Sequence, residues 1–134
     1  MASLNNLKEF WKRIQAEMTD FSKTMVSKSQ IDWRSTKKNA LEALYQTAQL
    51  ICDLNTIMSS LADLRLSLRN LMEDSGKYTM ITDVNDISQE ISDRLTMYYK
   101  INFSLTDRSQ TIRFFIKQQF PENYNEDLEY QRES

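Results

Sequence analysis

Acid–base and metal chemistry at neutral pH draw first on histidine, and this chain of 134 residues contains none. It has a single cysteine, Cys52, so neither an ordinary zinc site nor an intrachain disulfide can form. Its single glycine, Gly76, cannot make a glycine-rich phosphate loop. Carboxylates do gather, as Asp83, Asp86, Glu90 and Asp93. Spacings of three and four place the first three on one helical face, the pattern of an oxygen-ligand site for a hard cation. The same pattern serves a helix start, where acidic side chains oppose the macrodipole and then run on as a solvated stripe, and we favour that reading. A helical di-iron site needs a Glu-x-x-His pair, which this chain lacks.

The remaining reactive or recognition residues read as structural. Cys52 lies in an apolar-periodic segment with no basic group one helical turn away to lower its pKa, so a small buried hydrophobe is expected. Trp11 falls on a core repeat, whereas Trp33, beside Arg34, Lys37 and Lys38, fits a staple or an exposed anchor equally. Asp74-Ser75-Gly76-Lys77-Tyr78-Thr79 resembles a phosphodegron of the Asp-Ser-Gly type, but six residues match by chance often, and the simpler reading is a helix end and turn. The sequence therefore predicts no enzyme, no metal and no cofactor.

Helices must position whatever function there is. With one Gly and one Pro, the chain is made of few, long elements. Leu4, Leu7, Trp11, Ile14, Met18, Phe21 and Met25 alternate at spacings of three and four, a heptad seam capped by Ser3. A second stripe runs through Leu44, Ile51, Leu54, Met58, Leu61 and Leu68, flanked by Leu50, Ile57, Leu64 and Leu71 on one side and Ala48 and Ala62 on the other. It is wider than one neighbour needs, which predicts a central helix. A third stripe holds phase from Val84 to Phe115 and stops before Pro121. The first stripe continued by sevens meets Asp32, Asn39 and Gln46, so a break is expected between Ser27 and Ser35. The expected fold is all-α, an elongated antiparallel three-helix bundle with helices near 3–28, 33–75 and 82–120 and a loose acidic tail over 121–134. It is similar to spectrin-like repeats in helix count and in the Trp of its first helix, a likeness of architecture that carries no function.

Composition narrows the class. Forty per cent of residues are apolar and 27% charged, as in soluble or coiled-coil proteins rather than disordered ones. No basic stretch followed by an apolar core opens the chain, no common lipidation signal is present, and no apolar run approaches a membrane span. An intracellular protein, cytoplasmic or nuclear, is expected. Net charge is only −2, but residues 1–40 carry +4, residues 41–93 carry −6 and residues 94–120 carry +4. In an up-down-up bundle this makes one end basic and the other acidic.

Two partner surfaces follow. Folding the chain about residue 32 sets Leu4 beside Leu61 and Phe21 beside Leu44, which leaves a bare two-helix tip at the acidic end. Its apolar residues Leu64, Leu66, Leu68, Leu71, Met72, Val84, Ile87 and Ile91 are then expected to dock a protein partner, or a second copy, by helix packing. The alternative is a polyanion-binding basic end for nucleic acid or an acidic protein or lipid surface, built from Trp33, Arg34, Lys37, Lys38, Arg108, Arg113 and Lys117. The expected function is a helical adaptor or structural subunit.

Overall fold

A computed structural model describes residues 3–28, 32–75 and 81–121, and within them every regular element is a helix. The order is α1 (Leu4–Lys28), α2 (Lys37–Ser75) and α3 (Ile81–Gln119), an antiparallel three-helix bundle with α2 packed on both neighbours. At about 1.5 Å per residue, α1 is about 37 Å long and its two neighbours about 58 Å each. Gly76, the Asp74–Thr79 motif beyond Ser75, and the acidic tail from residue 122 lie outside the described residues.

Local chemistry accounts for the helix starts. The Ser3 hydroxyl accepts a hydrogen bond from the Asn6 N–H at 3.2 Å, capping α1. Thr36 does the same for α2, accepting from the Asn39 N–H at 3.0 Å. Between them Asp32 holds a tight turn, its side chain accepting from the Arg34 N–H and its carbonyl from the Ser35 hydroxyl. So α1 and α2 are separate helices, and α2 begins at Lys37 rather than near 33, because Asp32, Ser35 and Thr36 spend their hydrogen-bonding groups on the turn. At the far end the Phe120 N–H still bonds the Ile116 carbonyl, and Pro121 closes α3.

The core divides in two. The main cluster runs along the α1 seam (Leu7, Trp11, Ile14, Met18, Phe21) and joins Leu50, Leu54, Ile57, Leu61, Leu64 and Leu68 to Val84, Ile91, Leu95, Tyr98 and Leu105. A smaller one holds Trp33, Ala40, Ala43, Leu44, Ile112 and Ile116. Trp33 is buried, meets Phe115 edge-to-face at 5.2 Å and carries the Arg34 guanidinium 4.0 Å over its ring. Of its two expected roles it takes the staple, plugging the α2–α3 hairpin below the end of α1.

The register of α2 on α3 is marked by Asn102, which donates to Asn55 at 2.7 Å. The register of α1 differs from the expectation. Phe21 shares a groove with Asp53, Thr56 and Ile57, and Met25 one with Ala43, Thr47 and Leu50, so α1 sits roughly two to three helical turns further along α2 than a reversal at residue 32 would put it. The cause is the segment leading to Thr36, which carries the chain past the end of α1 before α2 starts.

We expect Leu54→Ala, at a wholly buried site, to cost about 2–5 kcal/mol in denaturant unfolding, and Trp33→Ala about 3–5 kcal/mol. Ile51→Ala, at a half-buried site, should cost less, and Leu66→Ala, at 55% exposure, well under 1 kcal/mol. Equal costs at Leu54 and Leu66 would contradict this packing.

Candidate functional site

The shift of α1 corrects the expected docking tip. Leu64, Leu68, Val84 and Ile91 are buried, and Leu71, Met72 and Ile87 pack half-buried against the same cluster. Only Leu66 stands out to solvent. The N-terminal turns of α1 reach this end, where the Lys8 ammonium meets the Asp83 carboxylate at 2.9 Å. The apolar tip expected from helix lengths alone is thus the covered end of the bundle.

The basic end gathers as expected but is built differently. Arg34, Lys38, Arg113 and Lys117 are exposed, Lys37 and Arg108 half-buried, and the Lys37 ammonium lies 5.9 Å from the centre of the Phe120 ring. With Trp33 inside, the exposed anchor that it could have provided is missing, although Phe114 is exposed. Among the described residues no group of three or more Cys, Asp or Glu is placed to hold a metal, and no helix is long and apolar enough to cross a membrane. Asp83 is occupied by Lys8, and Asp93 by the Gln89 amide at 3.0 Å.

A three-helix bundle has three outer grooves, and here they differ in charge. The α1–α3 groove holds a cleft of about 340 Å³ lined by Gln15, Lys23, Glu90 and Arg94 with Trp11 and Met18 at its floor. The α1–α2 groove, about 310 Å³, carries the carboxylates Glu17, Asp20 and Asp53. The α2–α3 side away from α1 carries an uncharged stretch at mid-length, followed in the same spacing by Arg69 on α2 and Arg113 on α3. On α2 the positions Ala48, Cys52, Asn55, Ser59, Ala62 and Leu66 alternate at spacings of four and three, and on α3 so do Ser92, Thr96, Tyr99, Phe103, Thr106 and Gln110. Such spacing keeps each set on one face. All but the half-buried Ser92 are exposed and none is charged. The Asn55–Asn102 hydrogen bond stitches the two stripes at mid-length, and Thr106 donates onward to Asn102 at 3.4 Å. Tyr99 is 65% and Phe103 78% exposed, the latter the most exposed large hydrophobic residue described.

Sequence reasoning missed this face because it followed the presence of apolar residues, and nine of these twelve positions are small or polar. The readable signal is the reverse: two heptad-spaced runs without charge in a chain that is 27% charged. Ala48 and Ala62, expected to flank a covered stripe, remain uncovered, and Cys52, expected to be buried, is exposed.

Within the core, Tyr98 is singular. Its ring meets Phe21 edge-on at 6.1 Å, its hydroxyl is buried, and no acceptor or donor lies in hydrogen-bonding geometry to it. Desolvation pushes its pKa above 10.0, while the Arg94 charge and a hydrogen bond from the Arg94 side chain, too loose to meet strict bonding geometry, pull the other way. Arg94, on a core repeat by sequence, is exposed and reaches out into the α1–α3 cleft, while Arg65 and Arg108 are half-buried.

Compared with known protein families, with curated proteins and with solved structures, the chain finds no match in any of the three.

In an alkaline absorbance titration, Tyr98 should ionise above the ordinary tyrosine value of 10.0. Because its folded pKa is raised, the unfolded chain loses this proton first, so the stability Tyr98 contributes is intact below pH 10 and falls as pH rises beyond it. Tyr98→Phe should remove this ionisation and leave neutral-pH stability unchanged or higher by up to about 1 kcal/mol, since a buried hydroxyl without a partner carries only cost. A loss above that would mean the hydroxyl has a partner.

Proposed function

We propose that this protein is a non-enzymatic helical module, an adaptor or structural subunit of an intracellular assembly, that binds protein by packing helices onto its α2–α3 face. One observation carries the reading: twelve heptad-spaced positions on two adjoining helices without a charge, eleven of them exposed, and Leu66, Tyr99 and Phe103 standing out from them. Exposed helix faces of soluble proteins are normally charged, and each exposed apolar side chain gives up on the order of 1 kcal/mol or more of burial. An uncharged face spaced for knobs-into-holes packing costs nothing in charge desolvation when another helix covers it.

Polyanion binding by the basic end is the second reading. The gathering of Arg34, Lys38, Arg113 and Lys117 with exposed Phe114 favours it, and the burial of Trp33 counts against it.

Salt and charge separate the two. Tagged full-length chain, recovered from cells, should hold its protein partners at high salt. Leu66→Glu with Phe103→Glu should release them while helix content and unfolding midpoint stay within experimental error, because both sites are exposed. Arg34→Glu with Lys38→Glu should leave them bound. The opposite pattern, with release by salt and by the basic-end pair alone, moves the function to the basic end.

A further inference from the structure

We infer that the occupant of the α2–α3 face is a second copy of this chain, laid antiparallel about a two-fold axis that passes by Asn55 and Asn102. This rests on the docking reading above and names its partner.

Width is the first argument. The face is two helices across, about 20 Å, and the stretch from Tyr45 to Leu66 is about 32 Å long. A single helix in the groove would touch the inner flank of each stripe and leave the outer flanks wet. A second two-helix face covers both and removes on the order of 1,300 Å² in total, within the range of stable interfaces.

The pattern along α2 is the second. Counted outward from Asn55, Ala48 and Ala62 stand at equal steps, as do Lys37 and Glu73; Cys52 and Ser59, and Tyr45 and Leu66, match to within one residue; and Leu41 and Arg69, fourteen residues away, are the pair that differs. Ala48 and Ala62 stand seven residues from Asn55, and Lys37 and Glu73 stand eighteen, which is about five helical turns and so the same side. In an antiparallel pair of α2 helices each member meets its counterpart: Ala on Ala, Cys on Ser, Tyr on Leu, Lys on Glu. Asn55 meets itself, and an asparagine in an otherwise uncharged seam is a known means of setting register.

Shape agrees. The middle of the α2 stripe is a shallow stretch of Ala, Cys and Ser, and the Asn55–Asn102 bond puts Tyr99 and Phe103 of α3 at the same height. A two-fold axis there lays α2 on α2, where the small residues allow close approach, and α3 on α3, where Tyr99 and Phe103 of one copy meet those of the other at mid-length.

Charge chooses the direction. Arg34, Lys38, Arg113 and Lys117 lie at one end of the rod, and Glu73, Asp86 and Glu90 towards the other. Parallel packing would put like ends together, and antiparallel packing opposes them. With a screening length of about 8 Å this sets orientation more than affinity.

The full-length chain at tens of micromolar should sediment with twice its 15.9 kDa mass. Ala48→Glu with Ala62→Glu, both at exposed sites, should sediment at the single mass with unchanged helix content. In a Cys52→Ser background, Asn55→Cys should cross-link to itself with a short bismaleimide. Ala48→Cys and Ala62→Cys should each fail alone and link when mixed. A single mass for the unaltered chain overturns the inference, as does a dimer indifferent to Ala48→Glu with Ala62→Glu, or Ala48→Cys linking to itself, which would mean parallel packing. A monomer whose Cys52 reacts faster once residues 122–134 are deleted assigns the face to the chain's own tail and also overturns it. If the chain is monomeric and Leu66→Glu with Phe103→Glu still releases captured proteins, the docking reading stands without the second copy. If release fails too, both fall.

Discussion

A 25-residue helix packed against two of 39 residues cannot cover both of their ends, and the rest of this bundle follows from how that mismatch is placed. Had the chain reversed tightly after α1, the acidic end would have been bare. The Asp32 turn and the Thr36 cap instead carry the chain onward before α2 begins, so α1 covers the acidic end and the shortfall falls at the basic one. There the loop supplies its own cover, with Trp33 set against Phe115, Ala40, Ala43, Leu44, Ile112 and Ile116. One large ring does the work that two further turns of helix would otherwise do, at lower cost in ordered backbone.

Slack in the core is concentrated where helices of different length share a groove. Tyr98 buries its ring against Phe21 and leaves its hydroxyl without a partner. The Gln46 side-chain oxygen is in the same position, beside the groove where α1 ends. Such groups cost free energy that an apolar residue of similar size would not. Thr47, by contrast, is buried at no such cost, since its hydroxyl donates to the Ala43 carbonyl at 2.7 Å.

The three grooves divide the surface by chemistry. Two carry charges along α1, where a charged rim keeps a short amphipathic helix in one orientation. The third is uncharged over its middle stretch, from Ala48 to Leu66 and from Ser92 to Gln110, and is held level by the Asn55–Asn102 bond between its walls. That bond satisfies two amides that water would otherwise solvate, and it leaves the face polar enough for a free chain to remain in solution. The proposed docking role and the fold therefore draw on the same helices from opposite sides: the inner stripe of α2 and α3 makes the bundle, and the outer one is left for a partner.

Three helices, their phases and the place of the break between α1 and α2 were legible in the sequence, because each follows from local periodicity and capping within a few turns of chain. Trp11 in the core, Ser3 as a cap and Leu66 outside the stripe were legible for the same reason. The docking tip was misjudged, Trp33 was undecided, and the uncharged face went unseen. All three depend on how far α1 slides along α2, and sliding is not encoded by periodicity: a heptad seam repeats every seven residues, so shifts of one or more heptads preserve its apolar contacts almost equally well. What selects among them is a tertiary contact, the fit of Trp33 beneath the end of α1 with the path of residues 32–36 that delivers it. Only when that shift is settled is it known which helix faces are covered and which stay exposed.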